Sequence, residues 1–456
     1  MANDAIRSGN ADESPAVTRE LAEWTAKFSN SDVTPSARTW TIHTLLDWIG
    51  VTVAGASEPL SGILTEQYGE DDGVCTVVAT GKRARPHDAA MINGAAGHAL
   101  DYDDVNAAMH GHPTAPVAPV VLALGEQLGA TGEDVIRAFI AGYEVECALG
   151  AMAGHEHYDN GFHATATMGT FGAAAAGANL MGLNAGQTIN ALGIAATQAA
   201  GLKSMFGTMT KPLHAGKAAM NGLIAAQIAA KGFTAGQDAV ECAQGFMAVS
   251  APGFVARHFT AGGNAAMQVE NNLFKYHASC YLTHSTIEAV TAIKQQHGLA
   301  LDDMKELKVF MPAANRSVCD IADPASGLEI KFSIRHLAAM ALDGANTAAL
   351  DTYSDDNAVS ARYADARAKV TVVEKELSGR HAGAVSIETH DGRTMVGEMD
   401  VGKPARDVDE QWRKLEHKAR TIMQPAIGAA RTDAIVKATT ELPHAKTLNP
   451  LMMALV

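Results

Sequence analysis

Several short stretches of this chain set histidine, lysine and carboxylate side chains close together. The first is Gly97-His98-Ala99-Leu100-Asp101-Tyr102-Asp103-Asp104, continuing to His110-Gly111-His112-Pro113. Its acids and imidazoles suit proton transfer, ligand binding or a metal ion. It reads equally well as a helix end with solvated acids, since His-x-His side chains share a face only on extended backbone. His155, His157 and His163 form a second group around Tyr158-Asp159-Asn160-Gly161-Phe162. There a histidine at the mouth of a buried helix is either a hydrogen-bonded structural residue or a proton carrier.

Thr210-Lys211-Pro212-Leu213-His214-Ala215-Gly216-Lys217 is the third stretch. Thr210 suits an N-cap and Pro212 the first helical turn. Lys211 then lies at the positive end of a helix dipole, where a cation is disfavoured and a bound carboxylate favoured. The alternative is a solvated surface lysine. Lys275-Tyr276-His277-Ala278-Ser279-Cys280-Tyr281-Leu282-Thr283-His284 is a fourth polar run, in which nothing local marks Cys280 as a nucleophile. Gly327 to Ser333 opens a helix, with Glu329 and Lys331 reading as a capping pair. No Walker loop, no GxGxxG after a strand and no HExxH occurs, so nucleotide and zinc-protease chemistry are not expected.

Helical patterns that would position these groups fill the first half. Ser36 is expected to cap a helix running to Ala54, and Pro86 to open one towards His98 and Asp101. Pro116 to Leu128, Gly132 to Met152 and Lys211 to Lys231 follow. No Asp, Glu, Lys or Arg occurs between Asp159 and Lys203, where the chain reads HATATMGTFGAAAAGANLMGL and supplies two more helices. Small side chains let helix backbones approach closely, so a buried helix pair is expected. Asn179, Asn184, Gln187, Asn190 and Gln198 argue against a membrane span.

The pattern changes near Gly262. Met304 to Met311 alternates as a strand, Val370 to Val373 is β-branched, and Ala384 to Glu398 reads as a hairpin turning at Asp391-Gly392. Helices are expected over Thr283 to His297, Phe332 to Leu342 and Asp355 to Ala368, and again from Asp409. The expected division is a disordered segment 1–15, an all-helical domain from 16–264 with 406–456, and an α+β domain over 265–405.

The 456 residues favour two domains. A net charge of -15 argues against nucleic acid or an anionic membrane as partner, though a local cluster of Lys and His can still hold an anion. Five scattered cysteines without a CxxC pair suggest a reducing cytoplasm, and MANDAIRSGNADESP lacks the apolar stretch of a secretory signal.

The segments GHALDYDDV, HPTAPVAPVVLALGE, GYEVECALG, FHATATMGTFGAAAAGANLMGL, GIAATQAAGL, TKPLHAGKAAMNGL, KYHASCYLTH and GLEIKFS together resemble the MmgE/PrpD family over about residues 15 to 450. The resemblance implies a mainly α protein, with a large all-helical domain and a smaller α+β domain. It also implies a homodimer, a cleft between the domains, and chemistry without a metal or organic cofactor on a small di- or tricarboxylate. The family includes 2-methylcitrate dehydratase, cis-aconitate decarboxylase and iminodisuccinate epimerase. Carried over residue by residue, its active-site positions fall on Asp101, His112, His163, Lys211 and Lys275.

On that basis the catalytic candidates are His163, Lys211, His112 and Asp101. The substrate-binding candidates are Lys275, Tyr102, His277 and Arg316. All the family activities are expected to share removal of a proton from the carbon next to a carboxylate, so cations must stabilise an enediolate-like state. Lys211 and Lys275 are assigned that role, with His163 and Lys211 as the acid–base pair and His112 as alternate. Decarboxylase and dehydratase members usually carry Thr where this chain has Val105, and Asn106-Ala107-Ala108-Met109 also departs from them. The expected activity is therefore an epimerase of an iminodisuccinate-like dicarboxylate, with a lyase acting on a citrate-like acid as the alternative. A silent scaffold is disfavoured because the ionisable residues remain. A metal-dependent hydrolase through Asp101, Asp103, His110 and His112 would lose activity on chelation.

Overall fold

The computed structural model describes residues 15–70, 72–261 and 266–456. All but Pro15 of the segment expected to be disordered lies outside these residues, as does the expected junction at 264–265. Two compact units separate by their internal contacts: Met1–Asn272 with Met423–Val456, and Leu273–Ile422. The protein is mainly helical, with its one larger sheet in the second unit.

In the first unit α1 (Val17–Lys27), α2 (Pro35–Gly55) and α3 (Pro59–Tyr68) precede a minimal antiparallel ladder of β1 (Cys75–Thr76) and β2 (Arg83–Ala84). Then come α4 (Pro86–Ala99), α5 (Thr114–Leu128), α6 (Gly132–Asp159), α7 (Ala164–Leu180), α8 (Ala185–Ala196), α9 (Thr210–Ala230) and α10 (Phe246–Ser250). Every residue of α7 is buried, and it packs against α5, α6, α8 and α9. Backbone approach is the reason for its composition. A Cβ on Gly222 of α9 would lie 2.6 Å from the carbonyl oxygen of Thr170, and one on Gly142 of α6 would lie 2.5 Å from that of Gly172. Charge is missing from α7 because an ion with helices on every side would lose its hydration without compensation. No helix among the described residues is long and apolar enough to cross a membrane.

The second unit holds α11 (His284–His297), β3 (Met304–Met311), α12 (Ala313–Cys319), α13 (Gly327–Ile330), α14 (Ile334–Asp343), α15 (Asp355–Ala358), α16 (Ala361–Arg367), β4 (Val370–Glu374), β5 (Ala382–Thr389) and β6 (Thr394–Asp400). Its strands pair in the order β4-β3-β5-β6, with β3 and β4 parallel and the other pairs antiparallel. Met304, Leu307, Val309 and Met311 form the buried face of β3, and α11 packs on β5 and β6. The chain continues through α17 (Val408–Ile427), α18 (Ala429–Thr440) and α19 (Asn449–Leu455).

Three local expectations change. Thr34 caps α2, accepting from the Ala37 amide at 3.1 Å with Pro35 as first helical residue, whereas Ser36 is turned to Glu270. The helix begun at Gly132 does not end at Met152 but is continued to Asp159 across a kink at Gly154, whose φ is 61°. Asp355 to Ala368 is two short helices, because Ser354 caps the first and the chain restarts at Ser360.

Candidate active site

The loop between α4 and α5 carries several of the candidate residues of the first unit. His98 ends α4, buried and facing inward, and the chain then turns through Asp101 at φ 50°. His110 takes φ 54°, so non-glycine residues hold left-handed backbone near both ends of the loop, which must be stabilised by its surroundings. That support is visible. Asn106 donates its amide to Gly111 O at 3.0 Å and accepts from the Ala108 amide at 2.8 Å. The His112 amide donates to Thr165 Oγ1 on α7 at 3.0 Å, and a Cβ on Gly111 would strike the same threonine at 2.9 Å.

Two further elements complete the site. His163 is the N-cap residue of α7, its amide bonded to Gly201 O at 2.9 Å. Lys211 and His214 lie three residues apart in the first turns of α9 and so share a face. Thr210 is the first helical residue rather than the cap. Thr208 Oγ1 accepts from its amide at 3.2 Å, so the hydroxyl at this helix end comes from two residues earlier.

These elements bring four sequence candidates together. Lys211 Nζ donates to Asp101 Oδ1 at 2.6 Å, and His112 Nε2 lies 3.6 Å from the same oxygen. His163 Nδ1 meets His214 Nδ1 at 3.1 Å, and its ring stands edge-on to Phe206 at 5.0 Å. The His98 ring lies 4.6 Å from that of His112 and 5.7 Å from that of His163. Asp101 is the open side of this group, its side chain 61% exposed.

Sequence reading left His98 and His214 without roles and gave Asp103 one only in the metal-dependent hydrolase reading. Asp103 Oδ2 accepts from His98 Nδ1 at 2.8 Å and faces His112 Nδ1 at 3.2 Å. The second contact is an off-line charge contact, not an aligned hydrogen bond. Burial alone would raise the Asp103 pKa, but His112 and His98 hold it well below the usual carboxylate range. His98 is pushed down to about 4 by burial, against the pull of Asp103. It is therefore neutral and serves Asp103 as an N–H donor. Burial and the neighbouring His98, Lys211, His112 and His214 hold His163 far below the ordinary imidazole range. The spacing of Lys211 and His214 was the one sequence signal for His214. Nothing local marked Asp103 above its acidic neighbours.

His98, Asp101, Asp103 and His112 each bring one ligating atom within 4.8 Å of the others, a set suited to a borderline divalent cation. Asp101 is already bonded to Lys211 and Asp103 to His98, so a cation would have to displace both bonds.

Behind the loop lies a buried acid layer. Asp104 Oδ2 accepts from Thr114 Oγ1 and Asn272 Nδ2, both at 2.5 Å, and burial pushes its pKa up to about 8. Burial likewise raises Glu144 to about 8, and Glu146 stays well above the carboxylate range.

The other substrate-binding candidates have these surroundings. Tyr102 is buried in the loop. Lys275, His277 and Arg316 belong to the second unit. Lys275 is buried there. His277 Nδ1 is 2.7 Å from Thr347 Oγ1, and its Nε2 is 3.3 Å from Glu288 Oε1. Arg316 on α12 is half-exposed and pairs with Asp320 at 3.1 Å and Glu374 at 3.0 Å.

His157 separates from His163 despite their closeness in sequence. Its Nε2 pairs with Thr167 Oγ1 at 2.7 Å and its Nδ1 with Ser250 O at 3.2 Å, which makes it a structural residue.

The MmgE/PrpD N-terminal domain matches residues 19–258, and the MmgE/PrpD C-terminal domain matches residues 277–442. The chain belongs to the MmgE/PrpD family. Among its relatives is a cis-aconitate decarboxylase of Aspergillus terreus, 27% identical over 476 residues, covering 98% of this chain and 97% of that protein. A cis-aconitate decarboxylase of Homo sapiens is 31% identical over 284 residues, covering 58% of this chain and 57% of its own. One from Mus musculus is 35% identical over 171 residues, 36% of this chain and 34% of that one.

Proposed function

We propose that this MmgE/PrpD protein is a lyase acting on a compact, unsaturated tricarboxylate of the cis-aconitate type. The observation that carries the reading is the Lys211–Asp101 pair at 2.6 Å with His112 beside it and His163 across the site. Relatives that match this chain nearly end to end are named for that decarboxylation. The sequence expectation of an epimerase thereby becomes the second reading, since its ground was dissimilarity at Val105 and the loop after it.

In an acid whose carboxylate-bearing carbon adjoins a double bond, breaking the C–CO₂ bond releases an electron pair that forms a new double bond. The pair of the old double bond takes up a proton at the carbon next to a retained carboxylate. One proton enters and one CO₂ leaves, so no oxidant or reductant is needed. The site must hold carboxylates and supply that proton. Lys211 exchanges Asp101 for a substrate carboxylate, and an imidazole delivers the proton. Tyr102, Lys275, His277 and Arg316 are proposed as further substrate contacts.

The epimerase keeps one observation in its favour. Val105 offers no hydroxyl, and Asn106 spends its amide group on Tyr143 Oη, Gln268 O and the Ala108 amide. A third substrate carboxylate finds no donor in these two side chains.

Proton NMR in D₂O with cis-aconitate and with iminodisuccinate decides between them. Loss of CO₂ with deuterium appearing beside a retained carboxylate supports the lyase. Interconversion of stereoisomers with nothing lost supports the epimerase instead. No deuterium uptake from either compound overturns both assignments.

A further inference from the structure

We infer that Asp103 is a positioning residue that fixes His112 in its Nδ1–H form and thereby makes His112, rather than His163, the proton donor of this site. The donor role rests on the lyase reading above, whereas the tautomer does not.

Asp103 is wholly buried, and one of its oxygens, Oδ2, faces two imidazole nitrogens. An ionised carboxylate only accepts. His112 Nδ1 lies 3.2 Å from that oxygen, is buried, and meets no other hydrogen-bonding group. A bare nitrogen lone pair there would oppose an oxygen lone pair at contact distance in a dry site. The proton therefore sits on Nδ1. The off-line approach does not weaken this, since such contacts often align only when substrate closes on them.

The consequence falls at the other nitrogen. Neutral His112 carries its lone pair on Nε2, which points to the open side, 3.6 Å from Asp101 Oδ1. Protonated His112 has a carboxylate beside each nitrogen, Asp103 at Nδ1 and Asp101 at Nε2. Its exchangeable Nε2 proton lies on the side where Asp101 is exposed.

His163 has the opposite surroundings. Its Nδ1 meets another imidazole, that of His214, so one ring donates and the other accepts. Its other neighbours include the His98 and Phe206 rings, His112 and Lys211. Burial and the neighbouring His98, Lys211, His112 and His214 all oppose a positive charge there. His163 acts as a neutral hydrogen-bonding group. His98 has its own part, since its Nδ1–H bond at 2.8 Å keeps Asp103 from turning away. The charged and titratable groups around His112 are thus Asp101, Asp103, His98, His163 and Lys211.

The test begins with two-bond ¹⁵N–¹H spectra of the wild-type protein labelled in histidine, with the His112 signals assigned from His112→Gln. A protonated Nδ1 on neutral His112 is expected, and a bare Nδ1 would overturn the inference. That measurement needs no substrate, so it can fail while the lyase reading stands. Kinetics follow with Asp103→Asn, whose amide can offer an N–H to Nδ1 and reverse the tautomer. The expected loss in kcat is about a hundredfold to ten-thousandfold with KM changed far less. In the His112→Gln background Asp103→Asn should add nothing further. Additive losses, or a loss that falls on KM rather than kcat, would show that Asp103 acts elsewhere.

Discussion

His112 in the helical unit and His277 in the second unit are both imidazoles set beside a carboxylate, but their carboxylates are held differently. Glu288, which faces His277, is mostly buried and bonded to Lys414 at 2.7 Å, while Thr347 takes the other nitrogen of His277. Against burial, His277 and Lys414 hold Glu288 down to about 2. Lys414 and Thr347 hold that network in place, while His277 Nε2 meets Glu288 without an aligned hydrogen bond. Around His112, Asp103 is sealed in the interior and Asp101 stands open on a left-handed turn. The same residue types give a fixed ion-pair network in one place and an exchangeable one in the other. Access to one partner makes the difference.

Removing the exchangeable side should have the largest effect. His112→Gln and Lys211→Met are each expected to lower kcat by about a hundredfold to ten-thousandfold, with thermal unfolding nearly unchanged. Steady-state kinetics beside a melting curve checks this. A loss of Tm in proportion to activity would make the open network structural after all.

Breaking the fixed network should act on stability instead. Glu288→Ala leaves His277 and Lys414 without their anion, and a loss of about 3 to 5 kcal/mol in urea unfolding is expected. A value near zero would mean that water already satisfies both partners.

The two regions should also respond oppositely to pH. The pKa of Glu288 is depressed in the fold, so its contribution is present above about 4.5 and is lost as pH falls towards about 2. Asp104 and Glu144 are raised, so their contribution is fully present below the ordinary carboxylate range and is lost as pH rises towards about 8. Buried His98 and His157, both near 4, oppose this only below the ordinary imidazole pKa of about 6.5. Between pH 6.5 and 8 the acids act alone, at up to about 1.4 kcal/mol per pH unit for each group. Melting curves across that window should fall, and Asp104→Asn should flatten them. An unchanged slope in that variant would remove Asp104 from the account.

Arg316→Gln should change least. The arginine is half-exposed on α12, and loss of its pairs with Asp320 and Glu374 is expected to leave Tm unmoved. A raised KM would then be assigned to lost substrate contact, because stability had not changed.

Most helices could be read from the chain because their causes are local. Pro86 opens α4, and the alternation of Met304 to Met311 makes β3 where it was expected. Where the reading slipped, a nearby competitor decided: Thr34 took the cap from Ser36, and Gly154 bent α6 where an end was expected. The residue types at Asp101, His112, His163 and Lys211 were likewise visible, together with the spacing that puts Lys211 and His214 on one face. What only tertiary structure decided is which of them are charged and which partner each one has. Asp103 and Asp104 are adjacent acids, yet the first stays ionised between two imidazoles while the second is raised to about 8 by burial. Sequence fixes the ionisable group, but its protonation depends on desolvation and on neighbours brought from α4, α7 and α9, far apart along the chain.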